Sequence, residues 1–398
     1  MLFVQKIVDR ESNFNCDPWK NSGSRIVGGD TWDRTDTLYL TELDDIADRQ
    51  GGARAEFRIG LLLPMCGAAG LWAPSCISCA QVALRELNRG DGIAGRPVRL
   101  ILIDAAEETA QPVEAVINDL IDTGAIDAIV GMHLSATRQR LSKIIRQRIP
   151  YVYTPLYEGG ETTPGIYAIG DTPDRHLGPA LAALQRMYRP RGWALIGNDY
   201  VWPRTFNAFA KTRLREMSVP VLHEEYHGFG TSGIDQAVER VAASGAEGVL
   251  VSLIGQDAVN FNRAFGRAGL QDQMIRLSCA CEENALLACG ARNNQRMFSA
   301  SSYFGNIPTE ANAAFRESYH TLHGDSAPVL NTLGQSTYEG VHFLAGLMQR
   351  GAPDWRMGSF DSARRMRRRS VRRETGLGHA PVYLSRADGL QFEVIETF

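Results

Sequence analysis

The sequence predicts an α/β protein: two doubly wound parallel-sheet lobes joined by hinge strands. Three observations carry this. The strand patterns are short, almost wholly apolar runs, as expected for strands buried on both faces. They alternate with amphipathic helical patterns at spacings that demand parallel crossovers. The alternation begins at residue 57 and restarts at residue 192. A length of 398 residues, at about 150 residues per domain, accommodates two such units.

The elements follow in order. Residues 1–55 are polar, rich in Gly, Asp and Arg, and weakly patterned, and are expected to form a poorly ordered N-terminal arm. Residues 57–63 (FRIGLLL) read as a buried strand and 74–88 as a helix with Ala80, Val82, Ala83, Leu84 and Leu87 on its apolar side. Strands at 96–104 (RPVRLILID), 125–131 (AIDAIVG) and 150–154 (PYVYT) alternate with helices at 114–122 and 135–148. The second series has strands at 192–197 (GWALIG), 219–226, 248–253 (GVLVSL) and 274–278, with helices at 203–217, 234–244 and 258–268. Helices at 311–323 and 334–350 and strands at 381–384 and 391–395 complete the chain. The expected partition is 56–172 plus 304–380 for lobe one and 173–303 plus 381–398 for lobe two.

Open parallel sheets bind ligands outside the carboxyl ends of their strands. Six loops follow such ends: 64–73, 131–137, 153–159, 198–203, 254–256 and 279–283. If the lobes face each other, these loops meet in one cleft.

Composition excludes several classes. Lys plus Arg is 42, Asp plus Glu is 45 and the net charge is -3, so a broadly basic nucleic-acid binder is ruled out and no direct DNA binding is expected. The longest apolar runs, such as 248–255, fall short of the roughly 18 residues that span a bilayer. The seven cysteines are odd in number and widely spread, which is not a disulfide framework. Residues 1–8 are apolar but short, and no small-residue cleavage site follows. The expectation is a cytoplasmic protein, or a periplasmic one if the assigned start hides a signal.

Several motifs weigh less than their letters. His223-Glu224-Glu225-Tyr226-His227 spells H-E-x-x-H, but Pro220 and Gly228 flank it and its alternation is that of a strand. In a strand, residues four apart are about 13 Å apart, too far to chelate one zinc. Residues 228–233 (GFGTSG) spell G-x-G-x-x-G, but the polar lead-in HEEYH is no buried strand, so a turn with a helix N-cap at Ser232 or Thr231 is expected. Cys76-x-x-Cys79 lies in an amphipathic helix, where Cys behaves as a small apolar residue, and Cys279-x-Cys281 matches no common zinc module. Residues 364–373 (RRMRRRSVRR) hold seven Arg in ten without aromatics, which suits a solvated face or an acidic partner better than base reading. Neither G-x-S-x-G nor a P-loop is present. No metal, cofactor or catalytic residue is expected, and the protein is read as a non-enzyme.

Four stretches resemble a known family. The run GLLLPMCGAAGLWAPSCISCAQVALRELNRGDGIAGRPVRLILID is similar to the opening of type I periplasmic binding proteins of the Leu/Ile/Val-binding kind. Residues 131–138 (GMHLSATR) resemble a G-x-x-T-S-x-x-R loop. Residues 153–159 (YTPLYEG) and 197–204 (GNDYVWPR) resemble motifs of the urea and short-chain-amide branch. The likeness runs from residue 57 to the C-terminus. It implies a receptor that closes on a small neutral amide-like ligand. Its expected output is that of an amide sensor controlling amidase expression through an antiterminator-type regulator. The alternative is the binding component of a urea, amide or branched-chain amino-acid ABC transporter, whose partner is a permease. Self-association is left open.

The resemblance also implies site residues. Ser135 is carried over as a hydroxyl contact, with Thr137 beside it at a helix start. Tyr153 and Tyr200 are carried over as aromatics that clamp a planar ligand, and Trp202 stands two residues on. Gly255 enters through its loop. Glu282 or Glu283 falls near the acid that holds an ammonium in amino-acid-binding relatives. His133 and Leu134, Pro155, and Cys279 through Cys281 depart from the branch by removing hydroxyls. They point to a ligand less polar than urea, such as a longer aliphatic amide or a nitrile-derived one. A calorimetric titration with urea much tighter than butyramide overturns that expectation.

Overall fold

The computed structural model describes residues 37–39, 56–106, 112–230, 232–349, 354–358 and 381–398. The expected arm, apart from residues 37–39, and the Arg run at 364–373 lie outside the described residues.

Two sheets form in series. The strands of the first are β1 (Thr37–Tyr39), β2 (Phe57–Leu63), β3 (Val98–Asp104), β4 (Ala128–Gly131), β5 (Tyr151–Tyr153) and β6 (Ile166–Ala168). Helices α1 (Ala73–Asn88), α2 (Val113–Asp122) and α3 (Ser135–Ile145) make the crossovers. The order is β1-β3-β2-β4-β5-β6, with every pair parallel. All seven residues of β2 are buried, because helices cover both faces. Strand β1 departs from the expectation for the arm: it pairs with Leu100–Leu102 at the sheet edge.

The second unit contains α4 (Pro173–Tyr188), β7 (Trp193–Asn198), α5 (Val201–Glu216), β8 (Val221–His227), α6 (Ile234–Ala243), β9 (Gly248–Ser252), α7 (Gly255–Arg267), β10 (Ile275–Ser278), α8 (Glu283–Cys289) and β11 (Met297–Ser301). The chain then returns to the first unit through α9 (Glu310–His323) and α10 (Thr332–Leu347), which pack on α1. It ends in the second sheet with β12 (Tyr383–Asp388) and β13 (Gln391–Thr397). The second order is β13-β12-β11-β10-β9-β7-β8. It is parallel from β11 to β8, while β12 and β13 join antiparallel. At this edge an antiparallel pair extends the parallel body of the sheet, and a tight turn at Gly389 (φ +65) links the last two strands.

The sequence also gives too little weight to α4, β6, α8 and β11. Strand order reverses at β2/β4 in one sheet and at β7/β9 in the other. Loops leaving a reversal point diverge and open a crevice, so each sheet contributes one crevice.

Close packing of α10 on α1 depends on small residues. A Cβ on Gly334 would lie 2.2 Å from Ser75 Oγ and 2.9 Å from Cys79 Sγ. Cys76 and Cys79 are therefore packing groups beneath α10, both fully buried.

The letter motifs resolve as backbone. His223 and His227 lie on edge strand β8, and Glu225 between them accepts from both rings and from Arg240 Nε at 2.7 Å. Among the described residues no group of three or more His, Cys, Asp or Glu is arranged to hold a metal ion. Helix α6 starts at Ile234 with Gly233 (φ +116) as its N-cap and no side-chain cap bond. The expected cap at Ser232 is thereby corrected, and Thr231 lies outside the described residues. Gly233 takes the position because a left-handed backbone there favours the residue without a Cβ.

Candidate functional site

A cavity of about 30 Å³, partly open to solvent, lies between the two sheet units. All six strand-end loops reach it. Trp72 comes from the loop after β2, and His133 and Ser135 from the loop after β4. Tyr153, Pro155 and Leu156 follow β5, and Tyr200 and Trp202 follow β7. Ile254 follows β9, and Ala280 and Glu282 follow β10. Thr332 and Leu333, at the start of α10, close the remaining side.

The first-sheet wall is held by its own hydrogen bonds. His133 is buried, and its Nδ1 lies 3.1 Å from the Leu134 carbonyl, so Nδ1 carries the proton. Its Nε2 then accepts from Tyr151 OH at 2.9 Å. Burial pushes the imidazole pKa down to about 4, which keeps it neutral. Tyr153 OH donates to the His133 carbonyl at 2.8 Å. The contact between Ser135 Oγ and Tyr153 OH, 3.3 Å, is therefore donated by Ser135, whose lone pairs stay available to the cleft. Helix α3 begins at Ser135 with Leu134 as N-cap, a side chain that cannot cap. Its first turn thus brings N–H groups and the positive end of the helix dipole to the cavity.

Behind this wall stands a charged scaffold. Arg138 is buried; it donates to Glu158 at 2.6 Å and to Glu161, and lies over the rings of Tyr153 and Tyr157. The Arg of GMHLSATR and the Glu of YTPLYEG are thus partners of each other. They tie two cleft loops together and do not line the cavity.

The second-sheet wall differs. Trp202 is 2% exposed, and its Nε1 has no hydrogen-bond partner among the described residues. Glu282 is buried; its Oε1 accepts from Trp72 Nε1 across the cleft, and its Oε2 has no partner among the described residues. Burial, reinforced by the charge of neighbouring Glu283, raises the Glu282 pKa to about 8. The carboxyl is then protonated at neutral pH, and with Oε1 accepting, Oε2 carries the proton. Glu283 turns away and accepts from the Gly305 N–H at 2.7 Å. Tyr200 packs at a tilt against Trp202 and Phe229, with centroids 6.4 and 5.3 Å apart.

Of the expected site residues, His133, Ser135, Tyr153, Tyr200, Trp202 and Glu282 line this cavity. Thr137 is buried inside α3, two positions and about 200° round from Ser135. Cys279 and Cys281 do not line this cavity, whereas Ala280 and Glu282 beside them do. Cys279 lines a neighbouring chamber and Cys281 belongs to a separate buried cluster with Cys289 and Phe304. Gly255 serves the approach of the two units. Its φ is +50 and a Cβ there would fall 1.9 Å from the Ala68 carbonyl oxygen. The next residue, Gln256, donates its N–H to that same oxygen at 2.9 Å. Trp72, Ile254, Thr332 and Leu333 were not singled out from the sequence. Trp72 and Ile254 lie in strand-end loops, a signal that could have found them.

A family model described as periplasmic binding protein matches residues 56–377. A Leu/Ile/Val-binding protein from Rhizobium johnstonii is 31% identical over 111 residues, an alignment spanning 28% of this chain and 30% of that protein. A periplasmic binding protein from Burkholderia mallei superposes with a TM-score of 0.71 at 16% identity, covering 86% of this chain and 95% of the other. A solute-binding protein of an R. palustris ABC transporter, in complex with 4-hydroxybenzoate, gives 0.68 at 16% identity, covering 86% and 97%. The family match overturns the cytoplasmic expectation, since the matched proteins are periplasmic. The free thiols misled because Cys76, Cys79, Cys279, Cys281 and Cys289 are all buried. Buried, protonated thiols do not pair simply because the compartment is oxidising.

Proposed function

We propose that this chain, which belongs to the periplasmic binding protein family, is the solute-capturing component of an ABC importer. Its ligand is a small acyl compound, a carboxylate or an amide, held in the cavity between two lobes. The lobes are residues 56–172 plus 304–380 and residues 173–303 plus 381–398, which close about the connecting segments.

One observation carries the ligand class. The buried side-chain groups left open on the second-sheet side of the cavity are donors: Trp202 Nε1–H and the protonated Glu282 Oε2. An acyl oxygen satisfies them, and Ser135 Oγ can accept from an amide N–H. Leaving such groups unmet in a closed cleft costs about 1–3 kcal/mol each, so an occupant that pairs them is strongly favoured. The aromatic rings of Tyr153, Tyr200 and Trp202 cover its apolar part at low entropic cost.

Relatives support the importer reading over that of an amide sensor acting on amidase expression. The matched proteins bear the names of a Leu/Ile/Val-binding protein and an ABC-transporter solute-binding protein. Permease and ATPase genes beside this one accord with import; an amidase gene with an antiterminator gene would oppose it.

A thermal-shift and calorimetry panel tests the ligand class. It contains benzoate, 4-hydroxybenzoate, butyramide, acetamide, urea, leucine and a cationic amine. Acyl compounds at 100 times Kd stabilise by about 2.7 kcal/mol, and butyramide exceeds urea. Preference for the cationic amine, or for urea, overturns the proposal.

A further inference from the structure

A second chamber adjoins the first and shares Leu156, Thr332 and Leu333 in its walls. It is small, about 20 Å³, room for a single polar group, and sits where the chain passes between units. Asp171 comes from the segment linking β6 to α4, and Ser301 and Ser302 from the end of β11, where the chain leaves for α9. The aromatic first cavity and this hydroxyl-lined one are therefore neighbouring compartments of one cleft.

His176 of α4 is the chamber's distinctive group. It is 1% exposed and rests on Phe206 with ring centroids 5.7 Å apart. Its Nδ1 lies 2.8 Å from the Thr172 carbonyl oxygen, which can only accept, so Nδ1 carries the proton. Burial holds the ring neutral by lowering its pKa. Nε2 is then a bare lone pair, and it has no partner among the described residues. Two of the surrounding hydroxyls have other partners: Ser336 Oγ donates to the Thr154 carbonyl at 2.7 Å, and Ser301 pairs with Thr332 at 2.8 Å. A buried acceptor without a donor is costly, and it stands beside a cavity able to admit one.

We propose that this chamber is a second ligand subsite, which receives a hydroxyl or amino group at the far end of the bound molecule and pairs it with His176 Nε2. The inference rests on the reading that an acyl group occupies the first cavity. The cleft then reads a molecule with two polar ends: an acceptor among the donors of Trp202 and Glu282, and a donor at His176. Leu156 and Leu333, shared by both walls, cover the apolar stretch between.

The test is calorimetric titration of the full chain with straight-chain acids of about four to eight carbons and their terminal-hydroxyl counterparts. At one chain length the hydroxy acid should bind about tenfold tighter than its parent, the worth of one buried hydrogen bond. In His176→Phe that ratio should fall toward one, with folding checked by circular dichroism. Should His176→Phe fail to fold, Ser302→Val narrows the same chamber and should lower the ratio. Acids that bind without preference at any length overturn the second subsite and leave the acyl reading standing. A preference that survives in the folded His176→Phe protein also overturns it. If no acid of either series binds while another class does, the acyl reading fails and the inference fails with it.

Discussion

The hydroxyls and imidazole of the first-sheet wall pair with one another, whereas the second-sheet wall leaves two buried polar atoms open. On the first side His133, Tyr151, Tyr153 and Ser135 form a closed chain of hydrogen bonds, backed by Arg138 and two glutamates. On the second side Trp202 Nε1 and Glu282 Oε2 are buried without partners among the described residues. The difference separates two tasks. A wall that needs no ligand to be whole is a preformed platform. A wall with unmet donors rewards the molecule that meets them, so it selects.

The largest effect is expected from breaking the platform. Arg138→Met leaves Glu158 and Glu161 buried without their cation. Loss of one partner from a buried ion cluster costs about 3–5 kcal/mol. Denaturant titration should show that loss, and His133 and Tyr153 should lose their fixed positions with it. A loss below about 1 kcal/mol, typical of exposed pairs, would mean that the scaffold does not hold the wall.

On the selecting wall the proton of Glu282 should matter most. Its pKa rises from an ordinary 4.5 to about 8 on folding, through burial first and Glu283 second. A raised carboxyl pKa means that the folded state binds the proton more tightly. Its stabilising share is full below pH 4.5 and is lost as pH rises through about 8. The melting temperature of the unliganded protein should therefore fall between pH 5 and pH 9. Glu282→Gln, which keeps an acceptor for Trp72, should flatten the fall. The residual slope belongs to Glu283, whose pKa burial lifts to about 7. Equal slopes in the two proteins would show that Glu282 does not carry the effect.

Trp202→Phe is a gentler change that sharpens the contrast. It keeps a ring against Tyr200 and Phe206 and removes the unmet N–H. Stability without ligand should hold or rise by up to ~1 kcal/mol, since a buried unpaired donor is a cost. Affinity for the acyl ligand should drop about tenfold. An unchanged Kd would remove Trp202 from the selecting set.

Which parts of this arrangement were legible in the sequence follows from geometry. Apolar runs such as residues 57–63 and 248–253 declare buried strands, and strand ends declare the loops that meet in the cleft. Helix α4 was missed because Gly178 and Pro179 interrupt its pattern, although Leu177, Ala180, Leu181 and Leu184 are buried at helical spacing. Strand β11 (MFSAS) carries two serines, and only its central place in the sheet makes it a strand. Within a correctly chosen loop, the side a residue faces was not legible. Ala280 and Glu282 face the cavity while Cys279 and Cys281 do not, and that division depends on the bend at residues 279–280 that follows β10. Thr332 and Leu333 reach the cleft from a helix with no strand before it, so no strand-end rule points to them. His176 falls in the same class, on a helix whose pattern its own Gly-Pro step conceals.

Thiol chemistry gives the finest resolution of the two sides, because each holds buried cysteines. Cys76 and Cys79 are fully buried on α1 beneath α10, and Cys279 is 3% exposed at the hinge chamber. Burial pushes the Cys76 thiol up to about 12 and lifts Cys79 and Cys279 as well. Reaction therefore needs local opening, and its rate measures the opening free energy. Of the described cysteines, Cys66, partly exposed in the loop after β2, should alkylate first. Cys279 should follow, because separation of the two units exposes its chamber without unfolding a helix. Cys76 and Cys79 should come last, since reaching them requires α10 to leave α1. A ligand that bridges the walls should slow Cys279 and leave Cys66 unchanged. Mass-spectrometric mapping of timed iodoacetamide labelling reads all of these rates at once. Were Cys76 and Cys79 to label ahead of Cys279, the first-sheet side would be the one that opens, and the assignment of platform and selector would reverse.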